Sequence, residues 1–512
     1  MNRYLDEILS VGLARRPHKP ALINSTQSLS FAELDKAVDE IVQLYQRFGC
    51  LKGHRIAVVA QKSPQIAAFV IACWRIGCIY VPLDPTSPPK RLQALIEEIA
   101  PQVICISDDN LSQLLQLSNK QQILSAERFF SGAYREFLTT QSPLEGLPRQ
   151  IVSRDAAYCI YTSGSTGSPN GVVISHGSCE SFFTAIQVLM KVDTESVFLG
   201  VSPLVFDVSI FDLFYPLYMG ATVYMLSPTE EIASFGEVIQ SRRITHFCAT
   251  SPILTAIAKR KGYLNLFDFS SVDVVMTGAD LLDQESVQNL LERAPGIKIV
   301  NGYGPTEATC ICTAFVIDGN YVAPQGVYPI GRPLEGIGAV LLDDGGAVVD
   351  GTGDGELLVS GPQLMSEYWR KPAETRARLV VINDVTYYRT GDRVKRDKNG
   401  DLIFLGRIDH EVKISGIRIH LNEIRYALMK ISGIEQALVT TRPTPLGRDI
   451  VAAVQISSQS KMDQAQILRE LRQTLPTYMV PKRIRMFPTF PLLPSGKLDQ
   501  QTVFRSLLGG TH

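Results

Sequence analysis

The sequence predicts an α/β protein: a large amino-terminal domain of parallel α/β subdomains plus a small β-barrel-like subdomain, followed by a small α+β carboxy-terminal lid. Three observations predict it. Helix-like and strand-like segments alternate as far as about residue 303, which argues for parallel sheets covered by helices. From about 325 the texture changes to short strands with glycine turns, as in GAVLLDDGGAVVDGTGDGELLVSG. Beyond Asp409 a separate series of helix, strand, strand and helix runs to a basic, proline-rich tail. The boundary therefore divides the chain into 1–408 and 409–512.

The elements follow in order. FAELDKAVDEIVQLYQRF places apolar residues at helical spacing. RIAVVA is a short buried strand, and SPQIAAFVIACWRIG is a helix ending at Gly77. IYVPLDP is a strand stopped by prolines; QVICIS and AAYCIYTS continue the series. VFLGVSPL, GATVYML, THFCAT, DVVMTG and IKIVNGYG extend it. In the lid, EIRYALMKI and QAQILRELRQTL are helices, and EQALVTTR and DIVAAVQI are strands. There is no internal repeat and no low-complexity segment.

Composition narrows the function. The chain has 512 residues, 45% hydrophobic, enough for a large core in two or more domains. Fifty basic residues face 51 acidic ones, a net charge of −1. That balance leaves no electrostatic footprint for nucleic acid or an anionic membrane. The nine cysteines include no CxxC pair, and Cys310 and Cys312 lack a second pair for zinc, which fits reduced thiols in a cytosolic protein. The segment MNRYLDEILSVGLARR carries Asp6 and Glu7 and is neither a signal nor a transit peptide. Its start at methionine, directly before a first helix, is expected of a complete protein. No apolar run approaches the roughly 20 residues that span a bilayer.

The stretch YTSGSTGSPNG, 161–171, holds three glycines, five serines or threonines and no charge. Glycines let backbone N–H groups converge, and small hydroxyls add donors without bulk, which suits a polyphosphate cradle built from Thr162, Ser163, Gly164, Ser165, Thr166 and Gly167. It is neither a Walker A loop nor a dinucleotide fingerprint. Alone, such a loop is more often a flexible connection.

The rest of the chain supplies the second observation. TSGSTGSPNG, NGYGPTE (301–307), YRTGD (388–392), GRIDHEVKISGIRI (406–419) and PSGKLD (494–499) occur in that order. LSFAEL, IGCIYVPLD, FDVS and GELLVSG accompany them. Together they cover 29–499, and the chain resembles the adenylate-forming superfamily, most closely the amino-acid adenylation domains of nonribosomal peptide synthetases.

The resemblance implies ATP and Mg²⁺ and two half-reactions: adenylation of a carboxylate, then transfer to a phosphopantetheine thiol. Lys497 is the implied cation at the carboxylate and α-phosphate, Glu307 the Mg²⁺ ligand and Thr306 an α-phosphate contact. Tyr303 would lie against adenine, flanked by Asn301 and Gly304; Asp392 would accept the ribose hydroxyls, supported by Arg407. Asp409 is the implied hinge of a mobile lid, with Lys413 and Gly416 on its thioester face. Singly, a turn aspartate or a core aromatic would explain Asp392 or Tyr303 as well.

Asp207 matches the aspartate that holds an α-amino group, and a desolvated carboxylate–ammonium pair suits that task. The implied side-chain pocket comprises Val208, Phe211, Cys248, Val275, Thr277, Gly302, Cys310 and Ile311. None is ionised at neutral pH, so a charged substrate side chain is disfavoured. The substrate expected is a small or medium, mainly apolar amino acid, with L-proline the leading candidate and alanine, valine or an unusual residue open. The alternatives are an acyl- or aryl-CoA ligase, which does not need Asp207, and a noncatalytic degenerate member, motivated by Asn170. Asn170 stands where the family's loop carries lysine. The end, SLLGGTH, leaves no room for a carrier domain, so a separate phosphopantetheinylated carrier protein is implied, and a monomer is expected.

Overall fold

The protein is described here by a computed structural model. It describes residues 3–508 except 111–121, 140–149, 165–166, 227–233, 260–263, 265, 279, 281, 283, 318–320, 322, 324–325, 410, 415, 445–446, 458–461 and 492–497.

The expected helices form for local reasons. Phe31–Arg47 opens on a capping box, the Ser30 hydroxyl taking the Glu33 amide while the Glu33 carboxylate takes the Ser30 amide. It buries Phe31, Leu34, Val38, Ile41 and Tyr45, a single helical stripe. Pro64–Arg75 is capped by Ser63, has proline at its first position and is buried on nearly every side.

Among the described residues, two mainly parallel sheets dominate. One, of seven strands, is ordered Glu367–Tyr368, Asn170–Ser175, Ala156–Thr162, Ile79–Pro82, Arg55–Val59, Val103–Ile106, Gln122–Ser125. The other has nine strands, and Val197–Gly200, His246–Thr250, Val274–Gly278 and Lys298–Tyr303 lie side by side and parallel at its centre. Antiparallel strands close its edges, Thr313–Ile317 pairing with Lys298–Tyr303. The glycine-turn region forms an antiparallel sheet built on Gly353–Ser360 and Val385–Arg396. Beyond Asp409 come the hairpin Glu411–Ile414 with Ile417–His420, and a three-stranded sheet with the helices Leu421–Met429, Gln464–Arg472 and Gln500–Leu508.

The chain separates into two compact units, and one division falls between Ile408 and Asp409. The second unit also takes in Thr86–Glu98 and Thr162–Asn170, which lie far earlier in the sequence. All nine cysteines are buried and unbridged. Among the described residues no helix is long and apolar enough to cross a membrane.

Candidate active site

The strand Lys298–Tyr303 carries the NGY of NGYGPTE to its end. There the Tyr303 hydroxyl donates to Oδ2 of Asp392. Arg407 donates from Nη1 to Oδ1 of the same carboxylate at 2.8 Å. Asp392 and Arg407 face each other in register on adjacent antiparallel strands, which puts their side chains within reach. The Asp392 side chain is 3% exposed and that of Arg407 10%, so this is a buried ion pair. Burial, reinforced by the Asp392 charge, pushes the Tyr303 phenol well above its ordinary pKa and keeps it a donor. Thr390 fixes the turn, accepting the Asp392 amide at 3.0 Å. Asn301 donates from its amide to the Pro329 carbonyl at 2.7 Å.

Glu307 is 1% exposed, and the Tyr368 hydroxyl donates to its Oε1 at 2.6 Å. The turn Thr306–Ala308 runs into two residues with left-handed backbone, Thr309 at φ +55° and Cys310 at φ +74°. Non-glycine residues in that region cost energy and cluster at functional sites. The fold holds them by closing on Gly304, where a Cβ would stand 2.4 Å from the Cys310 carbonyl oxygen. Thr306 is partly exposed on the same turn. A buried carboxylate oriented by one phenol fits Mg²⁺, which takes only one or two carboxylates and fills its shell with water and phosphate.

Asp207 precedes the π-helical turn Ile210–Phe214, and its carbonyl accepts the Ile210 amide at 2.9 Å. Burial pushes the thiols of Cys248 and Cys310 well above their usual pKa, and the nearby Asp207 charge adds to both shifts. Asp207, Cys248 and Cys310 therefore share one neighbourhood. Val208 is partly buried against the main core, and Phe211 is fully buried, stacked on Tyr215 with ring centroids 5.6 Å apart. A Cβ at Gly302 would meet Met276 Sδ at 2.9 Å and Ile311 at 3.2 Å, so Met276 and Ile311 line the same space.

Two expected pocket residues are elsewhere. In the parallel register Cys248 pairs with Met276, and Met276 with Val300, so these share a face. Val275 pairs with Phe247 and Ile299 and lies with them in a second core; Thr277, two residues on, shares that side. The strand's positions toward Cys248 and Gly302 are Met276 and Gly278, which corrects Val275 and Thr277 by one residue each. Sequence reasoning also missed Tyr368 and Asp212.

In the second unit, the Ser163 hydroxyl donates to the Arg418 carbonyl at 3.0 Å and accepts the His420 amide at 2.8 Å. A Cβ at Gly167 would stand 2.6 Å from the Tyr426 ring, and Thr162 Oγ1 lies 3.4 Å from the Asn170 carbonyl. The Gly164 Cβ position is 3.5 Å from the Asn170 side-chain oxygen. Arg91 and Glu423 form an ion pair at 2.7 Å, their side chains 15% and 2% exposed. Asp409 accepts the Glu411 amide at 3.1 Å. Lys413 faces Arg418 across the hairpin, whose turn needs the positive φ of Gly416, +83°. Ser165, Thr166 and Lys497 lie outside the described residues.

The chain belongs to the family of AMP-binding enzymes, whose sequence pattern matches residues 10–369. Its relatives include proteins named as synthases of nonribosomal-peptide type. It is 28% identical to a linear gramicidin synthase protein of Brevibacillus parabrevis, over 98% of this chain and 10% of that one. It is also 28% identical to zwittermicin A synthase ZmaJ of Bacillus cereus, over 99% of this chain and 96% of that one. The chain thus spans about a tenth of the gramicidin synthase protein and nearly all of ZmaJ. Among solved structures, NpsA-ThdA, an artificially fused adenylation–PCP di-domain from Klebsiella oxytoca, superimposes with a TM-score of 0.82 at 21% identity, over 94% of each chain. The o-succinylbenzoate CoA synthetase MenE of Bacillus subtilis does so with 0.82 at 19% identity, over 97% and 98%. Likenesses at that identity establish the fold, and the fold serves both chemistries.

Proposed function

We propose that this chain activates an amino acid as its aminoacyl-adenylate and passes the aminoacyl group to the phosphopantetheine thiol of a separate carrier protein. The observation that carries the reading is Asp207, whose charge, together with that of the buried Asp212, reaches the Cys248 and Cys310 thiols. A carboxylate in such surroundings suits a cationic ligand, and the α-ammonium group of an amino acid is one.

In the first step a carboxylate oxygen of the substrate attacks the α-phosphorus of ATP. The α–β phosphoanhydride bond breaks, and pyrophosphate leaves. In the second the thiol sulfur attacks the adenylate carbonyl, the bond to AMP breaks, and AMP leaves. Asp392 and Arg407 hold the ribose, Tyr303 lies against adenine, and Glu307 holds Mg²⁺, which neutralises phosphate charge when bound. The triphosphate lies along Thr162–Gly167, and Lys497 brings the cation to the α-phosphate. Asp409 serves as hinge between 1–408 and a lid of 409–512 that presents Lys497 first and Gly416 with Lys413 later.

The lining by Val208, Phe211, Cys248, Met276, Cys310 and Ile311 favours a small or medium, mainly apolar side chain, and L-proline remains the leading candidate. The test is exchange of labelled pyrophosphate into ATP across amino acids, fatty acids and aryl acids. Exchange with amino acids, proline foremost, supports the reading. Exchange only with acids lacking an α-amino group makes the protein an acyl- or aryl-CoA ligase, and no exchange at all makes it a noncatalytic member.

A further inference from the structure

Asp207, Val208 and Phe211 lie on one stretch of chain that leaves the strand Val197–Gly200 and enters the π-helical turn Ile210–Phe214. A single side chain ties the two ends together. Asp212 is fully buried, and its Oδ2 accepts the amides of Val201 at 2.9 Å and Ser202 at 2.7 Å. Lys62 holds the same dipeptide from its other polar groups: Nζ donates to the Val201 carbonyl and, at 3.3 Å, to that of Ser202. Two consecutive residues are thus gripped at N–H by an acid and at C=O by a base. The second Asp212 oxygen, Oδ1, is buried with no hydrogen-bond partner. Keeping a half-satisfied carboxylate in the core is costly, and a neutral staple would tie a turn at less expense in desolvation.

We propose that Asp212 and Lys62 are positioning residues for amino-acid recognition: they clamp both ends of the loop that carries Asp207, so that its carboxylate is already in place when the substrate ammonium arrives. The inference rests on the reading of Asp207 given above. A charge–charge contact loses most of its value when one partner must first be ordered, and small misplacements at a reacting centre are amplified. The clamp's influence extends into the pocket, because the Asp212 charge also raises the thiols of Cys248 and Cys310.

Burial raises the pKa of Asp212 to about 6, against the opposing pull of Lys62, the two amides and the Ser202 side chain. The groups facing it are Lys62 and the Cys248 and Cys310 thiols, which burial keeps protonated. As pH falls through about 6 Asp212 takes up a proton, the two amides lose a charged acceptor and Lys62 loses its counter-charge. The clamp weakens below that pH and is constant above it.

The experiment is pyrophosphate exchange with Asp212→Asn and Lys62→Met, each first compared with wild type by thermal unfolding. The clamp predicts that KM for the amino acid rises on the order of ten- to a hundredfold in folded variants, while KM for ATP stays within about twofold. It also predicts that the wild-type amino-acid KM rises between pH 7.5 and 5.5 at saturating ATP, and that this dependence is gone in Asp212→Asn. Folded variants with an unchanged amino-acid KM, or with both KM values raised together, overturn it. If neither variant is recovered folded, the wild-type profile decides: a flat amino-acid KM over that range overturns the clamp. Failure of the parent reading is distinct, since wild type would then show no exchange with any amino acid.

Discussion

Tyr303 and Asp392 are joined by a buried hydrogen bond, the phenol donating to Oδ2 while Arg407 holds Oδ1 at 2.8 Å. Both oxygens proposed to receive the ribose are thus already in use, one by the residue proposed to lie against the base. On the proposed nucleotide site, entry of ATP would exchange the Tyr303 bond for one to a ribose hydroxyl and leave the Arg407 bond in place. Tyr303→Phe keeps the ring and frees Oδ2, so KM for ATP in pyrophosphate exchange should change by less than about threefold. Asp392→Ala should raise it by about ten- to a hundredfold, because the charge-assisted bond to ribose is lost and Arg407 is left without its counter-charge. Equal effects from both substitutions would place the nucleotide elsewhere.

Removing Arg407 is expected to act on the fold as well. Arg407→Ala leaves the Asp392 charge buried beside a phenol, and denaturant unfolding should show a loss of about 3–5 kcal/mol. A loss below about 1 kcal/mol, the range of exposed pairs, would mean that water reaches Asp392.

Glu307 and Tyr368 test the metal assignment. Glu307→Gln should lower exchange by about a hundredfold or more, since the proposed anionic ligand of Mg²⁺ is removed. Tyr368→Phe deletes one orienting bond and should cost about tenfold at most, with a shift to higher Mg²⁺ demand. If Glu307→Gln left the Mg²⁺ titration unchanged, Glu307 would not be the ligand.

Asn170→Lys restores a cation to the end of the glycine-rich loop. One charge-assisted contact to phosphate should lower KM for ATP by about tenfold. An unchanged KM and exchange rate would show that the loop, holding phosphate through amides and hydroxyls, has no use for that charge.

His176 gives a pH test apart from the site. It is fully buried with both ring nitrogens unpartnered, and burial lowers its pKa to about 4. The unfolded chain takes up the proton below about 6.5, so stability is lost as pH falls from 6.5 toward 4, about 2 kcal/mol by pH 5. Asp212, raised to about 6, works in the opposite sense over the same window, so the comparison must be between proteins and not between pH values alone. His176→Phe should gain about 2 kcal/mol on wild type between pH 7.5 and 5 in urea unfolding. A constant difference would mean that His176 takes up its proton in the fold as readily as in the unfolded chain.

The legible features were those with local causes. The helix Phe31–Arg47 advertises its cap and stripe, and RIAVV reads as a strand because parallel strands are continuously apolar. That same continuity hid the register of VVMTG: covered on both faces, the strand has no polar side to tell Val275 from Met276. The motif residues Tyr303, Asp392 and Arg407 do converge, yet their mutual bonds, spanning 89 and 15 positions, have no signature in spacing. The grouping of Thr162–Asn170 with the carboxy-terminal unit rests on contacts such as Ser163 to His420, 257 residues apart. Asp212 was invisible for another reason: nothing in IFDLF marks its one polar residue as buried, and only its bonds to the amides of Val201 and Ser202 show what it does.

The most direct measurement is mass spectrometry of the acid-quenched enzyme after incubation with ATP, Mg²⁺ and single amino acids. Wild type should form a species with the mass of amino acid plus AMP less one water, and both Lys497→Ala and Asp207→Ala should lose it. Adenylates formed only from acids lacking an α-amino group, or undiminished formation by Asp207→Ala, would contradict it.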